Sequence, residues 1–156
     1  PTEAGRTSGV MMKHNANSEV ISGKDIILVD DSIVRGTTSR KIVTMMREAG
    51  ARSVHMRIAS PPTTNPCFYG VDTPEREKLL AARMNINSMQ KFINADSLAF
   101  VSIDGLYRAV GSKNRDREKP QFCDACFTGE YPTPLTDLNA KENETAQLPF
   151  PSNEAA

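Results

Sequence analysis

Two groups of side chains in this sequence have the types and spacing for chemistry. The first is the adjacent acid pair Asp30 and Asp31, followed six residues after Asp30 by Gly36, Thr37, Thr38 and Ser39. Two neighbouring carboxylates can take one hard cation such as magnesium, or accept hydrogen bonds from adjacent sugar hydroxyls. A glycine and hydroxyl residues at the mouth of a helix make a phosphate cradle. The glycine lets the backbone come close, and the first helical N–H groups are unpaired at the positive end of the dipole. Hydroxyl-binding acid and phosphate-binding amides about 10 Å apart, the reach of a few extended residues, describe a ribose 5-phosphate site. The second group is Cys67, Cys123 and Cys126. An odd number of cysteines argues against a disulfide framework, and the CxxC of Cys123 and Cys126 can put two thiolates on one metal. By spacing alone a redox pair, half a zinc site and an accident all stay open, and Cys67, Cys123 and Cys126 with His55 would make a zinc set.

The elements around these residues follow from hydrophobic periodicity. Ile26 to Val29 is a continuous apolar run ended by the acid pair and followed by a helical pattern. It reads as a strand buried on both faces of a parallel sheet, whose carboxyl end is where such sheets bind ligands. Val20 and Ile21 lead into it through a turn at Ser22-Gly23-Lys24. From Ser39 to Ala49 the residues Ile42, Val43, Met45, Met46 and Ala49 fall at helical spacing, Gly50 suits the residue that stops the helix, and Arg40, Lys41 and Arg47 fall mostly on the wet face. Ser53 to Ala59 alternates as a second strand, which completes a βαβ unit of right-handed crossover with a structural His55 inside it. SPPTTNPCFYGVDTP must be an ordered loop, because Phe68, Tyr69 and Val71 would otherwise be exposed. Glu75–Met84 and Ile86–Ala95 read as helices, Leu98–Val101 as a short strand, and Ile103–Val110 as a last helix with Leu106, Tyr107 and Val110 inward. From Gly111 the chain turns polar and charged, without an apolar period.

The acid pair on its own also allows two blander accounts. A receiver domain has paired acids after its first strand but needs a phospho-acceptor Asp at the end of a later one, and Asp72, after Tyr69-Gly70-Val71 and before a Thr-Pro, does not look like a strand end. An ordinary strand, turn and helix without ligand would leave two carboxylates at a buried strand end without a partner, which is costly.

The stretch VDDSIVRGTTSRKIV resembles the 5-phosphoribosyl-1-pyrophosphate (PRPP) motif of the type I phosphoribosyltransferases, and among them the amidophosphoribosyltransferases. PCFYGVDTP, NADSLAFVSIDGL and FCDACFTG are similar to segments of that family in the same order, with Asn94 where the family usually has glycine. The resemblance runs from Pro1 to about Leu135. It implies an α/β fold, a partial type I phosphoribosyltransferase with flanking helices and an irregular cysteine-containing carboxyl-terminal segment. It implies the conversion of PRPP, glutamine and water to 5-phosphoribosylamine, pyrophosphate and glutamate, with PRPP bound by Asp30, Asp31, Ser32, Arg35, Gly36, Thr37 and Thr38 and magnesium held at Asp30 and Asp31. It also implies a 4Fe-4S cluster with Cys67, Cys123 and Cys126 among its ligands, a fourth lying upstream. No residue is assigned a catalytic role; His14 reads as a solvated loop histidine. A PRPP-binding regulator without catalysis is the alternative, and the FCDACFTGEYPTPL ending argues against it.

The boundaries expected are part of a flexible catalytic loop over 1–19, with Arg6 and the Lys13-His14-Asn15 run in it; a phosphoribosyltransferase core over 20–110; a linker and cluster-binding segment over 111–135; and a disordered tail over 136–156. With 156 residues the chain suits one domain, and its net charge of zero gives no sign of nucleic acid or an anionic membrane as partner. No stretch is long and apolar enough to span a membrane, so a cytosolic location is expected. A start at Pro1 without methionine suggests a piece of a longer enzyme, glutaminase-containing and homo-oligomeric when whole, and inactive as this piece alone.

Overall fold

A computed structural model describes residues 16–135. The expectations for Arg6, Lys13, His14, Asn15 and the tail from 136 onward lie outside the described residues. Three strands, β1 (Asp25–Asp30), β2 (Ser53–Ile58) and β3 (Ser97–Phe100), form one parallel sheet in the order β1-β2-β3. Asp25 pairs with Ser53 and Asp30 with Ile58, while His55 pairs with Ser97 and Ile58 with Phe100. The α/β class expected from the strand and helix pattern is therefore what the chain adopts.

Helix α1 (Ser18–Ile21) precedes β1, and α2 (Thr37–Glu48) crosses from β1 to β2. A 3-10 turn (Arg76–Lys78), α3 (Leu80–Arg83) and α4 (Ile86–Ile93) lie between β2 and β3, and α5 (Ile103–Ala109) and α6 (Ala125–Thr128) follow. The expected helix over 75–84 is thus two short pieces. Leu79 between them is extended at ψ 125°, and the Leu80 N–H bonds the Val34 carbonyl instead of a helical partner. Helix α1 has no counterpart in the sequence pattern because one turn is too short to show a period; its cap is Asn17, whose side chain accepts from the Glu19 N–H. Asn94 closes α4 in the left-handed region at φ 62°, the conformation its place in the sequence asked for.

The core lies on one side of the sheet. Val54, Met56, Ile58 and Leu98 point into a cluster with Val43 of α2, Met89 and Ile93 of α4, and Ile33 and Leu80. Arg47, expected on the wet face of α2, reaches across to the Asn94 carbonyl and the Asp96 carboxylate at 2.8 and 2.9 Å, and Asp96 accepts the Val54 N–H at 2.6 Å. One ion pair thus fixes α2, β2 and the entry to β3.

The other side of the sheet is open, which corrects the expectation of a strand buried on both faces. Among the described residues Ile27 is 65% and Val29 75% exposed: β1 stands at the edge of the three-stranded sheet, and the core cluster gathers α2 and α4 on the Val54 side. The same face carries a polar ladder: Ser53 donates to Asp25 at 2.6 Å, and the two ring nitrogens of His55 lie 3.0 and 2.8 Å from the hydroxyls of Ser53 and Ser97. Val110 and the loop residues Phe68, Tyr69 and Val71, expected inward, are also largely exposed.

Candidate functional site

β1 ends at Asp30, and the turn that follows is built from the acids themselves. The Asp31 N–H donates to Asp30 Oδ1 at 3.0 Å, and the Ser32 N–H to Asp31 Oδ1 at 2.8 Å. A carboxylate has more acceptor sites than one such bond uses. Ile33, 1% exposed, anchors the turn in the core. Gly36 caps α2 with φ 75° and ψ −7° and offers no side chain to the helix's first N–H groups. Any side chain is strained there: a Cβ would stand 2.5 Å from Leu80 Cδ2, which would have to move, and 3.1 Å from Phe92 Cε1, in a backbone conformation that L side chains rarely adopt.

Between these parts is a cleft of about 680 Å³ whose lining includes Asp30, Asp31, Ser32, Arg35, Thr37 and Thr38. All seven positions expected to hold a phosphorylated sugar, Gly36 among them, border this one space. Ser39, read with the phosphate turn, borders it too; Val34, Lys41, Asp72 and Pro74 also border it and were not singled out for it. Lys41 is one turn after Thr37, and its helical position could have placed it. Asp72 arrives on the loop after β2, so no local pattern could have revealed it. Glu75, beyond it, has its carboxyl held below the usual range, first by the Lys78 ammonium and to a lesser degree by the charge of Arg35. Asp72 and Pro74, lining the cleft with Arg35 and Gly36, set this loop beside the phosphate turn.

The three cysteines are gathered from two segments, and all are free thiols. The Cys126 carbonyl accepts the N–H groups of Thr64 and Asn65, both at 3.0 Å, and the Tyr131 hydroxyl donates to the Pro66 carbonyl at 2.7 Å. These bonds lay the Cys67 loop along α6. Burial pushes the Cys126 thiol above its ordinary pKa, and the charges of Cys123, Cys67 and Asp124 push it the same way. Among the described residues no group of three or more His, Cys, Asp or Glu is set to hold a single metal ion. The zinc set with His55 is therefore not assembled; that imidazole is engaged by Ser53 and Ser97 on the open sheet face. Three free thiols brought from two segments are soft sulfur donors of the kind an iron–sulfur cluster takes. The two adjacent carboxylates, hard oxygen donors, suit magnesium.

A glycine-capped turn beside an acid pair, at the carboxyl end of a parallel strand, defines the class: an α/β protein with a cleft where such sheets bind ligands. Within it, the resemblance is to amidophosphoribosyltransferase. The chain is 58% identical over 142 residues to that of Rhizobium etli, 51% over 135 residues to that of Bacillus subtilis, and 48% over 141 residues to a chloroplastic one of Arabidopsis thaliana. These matches cover 90, 86 and 90% of this chain but 29, 28 and 24% of the relatives, so the chain spans less than a third of their length. Among solved structures, the glutamine PRPP amidotransferase of B. subtilis complexed with ADP and GMP superposes with a TM-score of 0.74 at 50% identity, over 86% of this chain and 30% of that one. A structure described as the allosteric regulatory enzyme of purine biosynthesis gives 0.73 at 51%, over 86 and 29%. No family model matches the sequence.

Proposed function

We propose that this chain is the PRPP-binding part of an amidophosphoribosyltransferase, the enzyme that converts PRPP, glutamine and water to 5-phosphoribosylamine, pyrophosphate and glutamate. The observation that carries this reading is the single cleft shared by the acid pair and the Gly36-Thr37-Thr38 turn. The backbone N–H groups and hydroxyls of Thr37 and Thr38, with Arg35, hold the 5-phosphate. Asp30 and Asp31 accept from the ribose hydroxyls, and Ser32 supports the turn between them. As pyrophosphate leaves, positive charge grows at the sugar's C1, and two fixed carboxylates nearby favour that charge. Magnesium at Asp30 and Asp31 would neutralise the pyrophosphate and so ease its departure.

Cys67, Cys123 and Cys126 are read as ligands of a 4Fe-4S cluster with structural duty, since none lies among the residues that line the cleft. Glutamine hydrolysis and homo-oligomer formation are read as properties of the full-length enzyme. Residues 1–19 are read as part of the loop that closes over PRPP, and the location as cytoplasmic. No helix among the described residues is long and apolar enough to cross a membrane.

A chimera tests the reading directly. Replacing the matching 135 residues of the B. subtilis relative with those of this chain should give an enzyme that forms phosphoribosylamine from PRPP and glutamine. A chimera that folds and hydrolyses glutamine, yet leaves PRPP unconsumed, would refute it. The isolated chain should show no turnover.

A further inference from the structure

Arg115 and Asp124 form the most enclosed ion pair among the described residues, with side chains 7 and 5% exposed. Asp124 lies between Cys123 and Cys126 and caps α6. Its carboxylate accepts Arg115 Nε at 2.5 Å and Nη2 at 3.1 Å, the Tyr107 hydroxyl at 3.0 Å and the Thr128 hydroxyl at 3.2 Å. Arg115 is held in turn by Glu130 at 2.6 Å, and its N–H donates to Asp104 at 3.2 Å. Burial alone would drive the Asp124 carboxyl to its neutral form, but the bonds from Arg115, Tyr107 and Thr128 outweigh it and keep the pKa below the ordinary value.

A buried, two-pronged ion pair is an expensive way to hold a surface turn, and nothing in the phosphosugar cleft touches it. What it holds is the CxxC. Asp124 fixes the start of α6, and Cys126, within α6, presents its carbonyl to Thr64 and Asn65 on the segment that leads to Cys67. We propose that Arg115, acting through Asp124, is the positioning residue of the cysteine site: it sets Cys123 and Cys126 against Cys67 before any cluster is loaded. This deepens the reading of the three cysteines as cluster ligands and rests on it. The planar guanidinium suits the role because it spans Asp124 and Glu130 at once, which an ammonium on a flexible stem does not do in the same geometry.

The test uses the full chain and the variants Arg115→Met and Arg115→Lys. In the metal-free protein, wild-type Cys126 should alkylate at least about tenfold more slowly than exposed Cys123. The Met variant should bring the two rates together, and the Lys variant should fall between them. In the B. subtilis chimera, which supplies the upstream region expected to hold the fourth ligand, anaerobic loading with iron and sulfide, read as bound iron and visible absorbance, should weaken about 10- to 100-fold when Arg115→Met is introduced, the range seen when a partner that orients a ligand is removed. Magnesium–PRPP binding should be unchanged in both variants, which separates a positioning role from general unfolding. Equal alkylation ratios in wild type and Arg115→Met would overturn the proposal, as would equal loading with the same spectrum. If the chimera with Arg115 intact takes up no iron, the cluster reading fails, and the alkylation ratio alone decides the role of Arg115. If Arg115→Met does not fold, Glu130→Gln, which releases one prong at an exposed partner, should give a smaller shift in the same direction, and no shift would overturn the proposal.

Discussion

At the scale of single residues, the site depends on positions that tolerate no substitute for different reasons. Gly36 is required by backbone sign and by space together. Gly36→Ala should cost about 2 kcal/mol or more in urea unfolding, from the left-handed penalty plus the push against Leu80. It should also weaken PRPP binding, because the cradle amides shift. Asp30 and Asp31 were legible in the sequence because two carboxylates that end an apolar run are costly there unless a ligand or donor meets them. Asp72 was not. Its chemistry belongs to the cleft only through the fold of a proline-rich loop, and a carboxylate in a loop carries no period to read. Asn94 shows the opposite case: a residue type that tolerates positive φ, at the end of a helical pattern, announced its own backbone conformation. Asn94→Ala should lose about 1 kcal/mol in the same unfolding experiment.

At the scale of elements, the two faces of the sheet divide what the apolar run in β1 could not. Ile26 to Val29 read as uniformly buried because four consecutive apolar residues hide the alternation of a strand. The structure separates them, with Ile27 and Val29 on the open face and Met56 of the neighbouring strand wholly enclosed on the other. Ile27→Thr should therefore leave stability within about 0.5 kcal/mol, while Met56→Ala should cost about 2–5 kcal/mol. Chemical denaturation of the two variants checks the asymmetry; a large loss at Ile27 would mean that its face is covered in solution. The helices of about two turns or more, α2, α4 and α5, were legible from their apolar spacing. The one-turn pieces α1, α3 and α6 were not, since their limits come from tertiary hydrogen bonds such as Leu80 to Val34.

At the scale of the molecule, carboxylates held below their ordinary values link stability to pH, Asp96 and Asp124 among them. The Val54 N–H above all, then Arg47, holds the Asp96 carboxyl below its ordinary value. Asp124 is likewise held low, by Arg115, Tyr107 and Thr128 against the opposing effect of burial. A depressed native pKa means that the unfolded chain binds the proton more readily. The stabilisation is complete above the unfolded carboxyl value near about 4 and is lost as pH falls through the lower native values. Unfolding free energy should therefore decline from about pH 4 downward, and the decline should be shallower in Asp124→Asn; an equal slope in both proteins would remove Asp124 from the linkage.

One cleft, in which acids and amides hold the two ends of one phosphorylated sugar, underlies the proposed function. Calorimetric titration of the chain with PRPP in the presence of magnesium tests this most directly. Saturable binding is expected, abolished by Asp30→Asn with Asp31→Asn and weakened by chelation of the magnesium. A folded chain that gives no binding heat, or a double variant that binds as the wild type does, would contradict it.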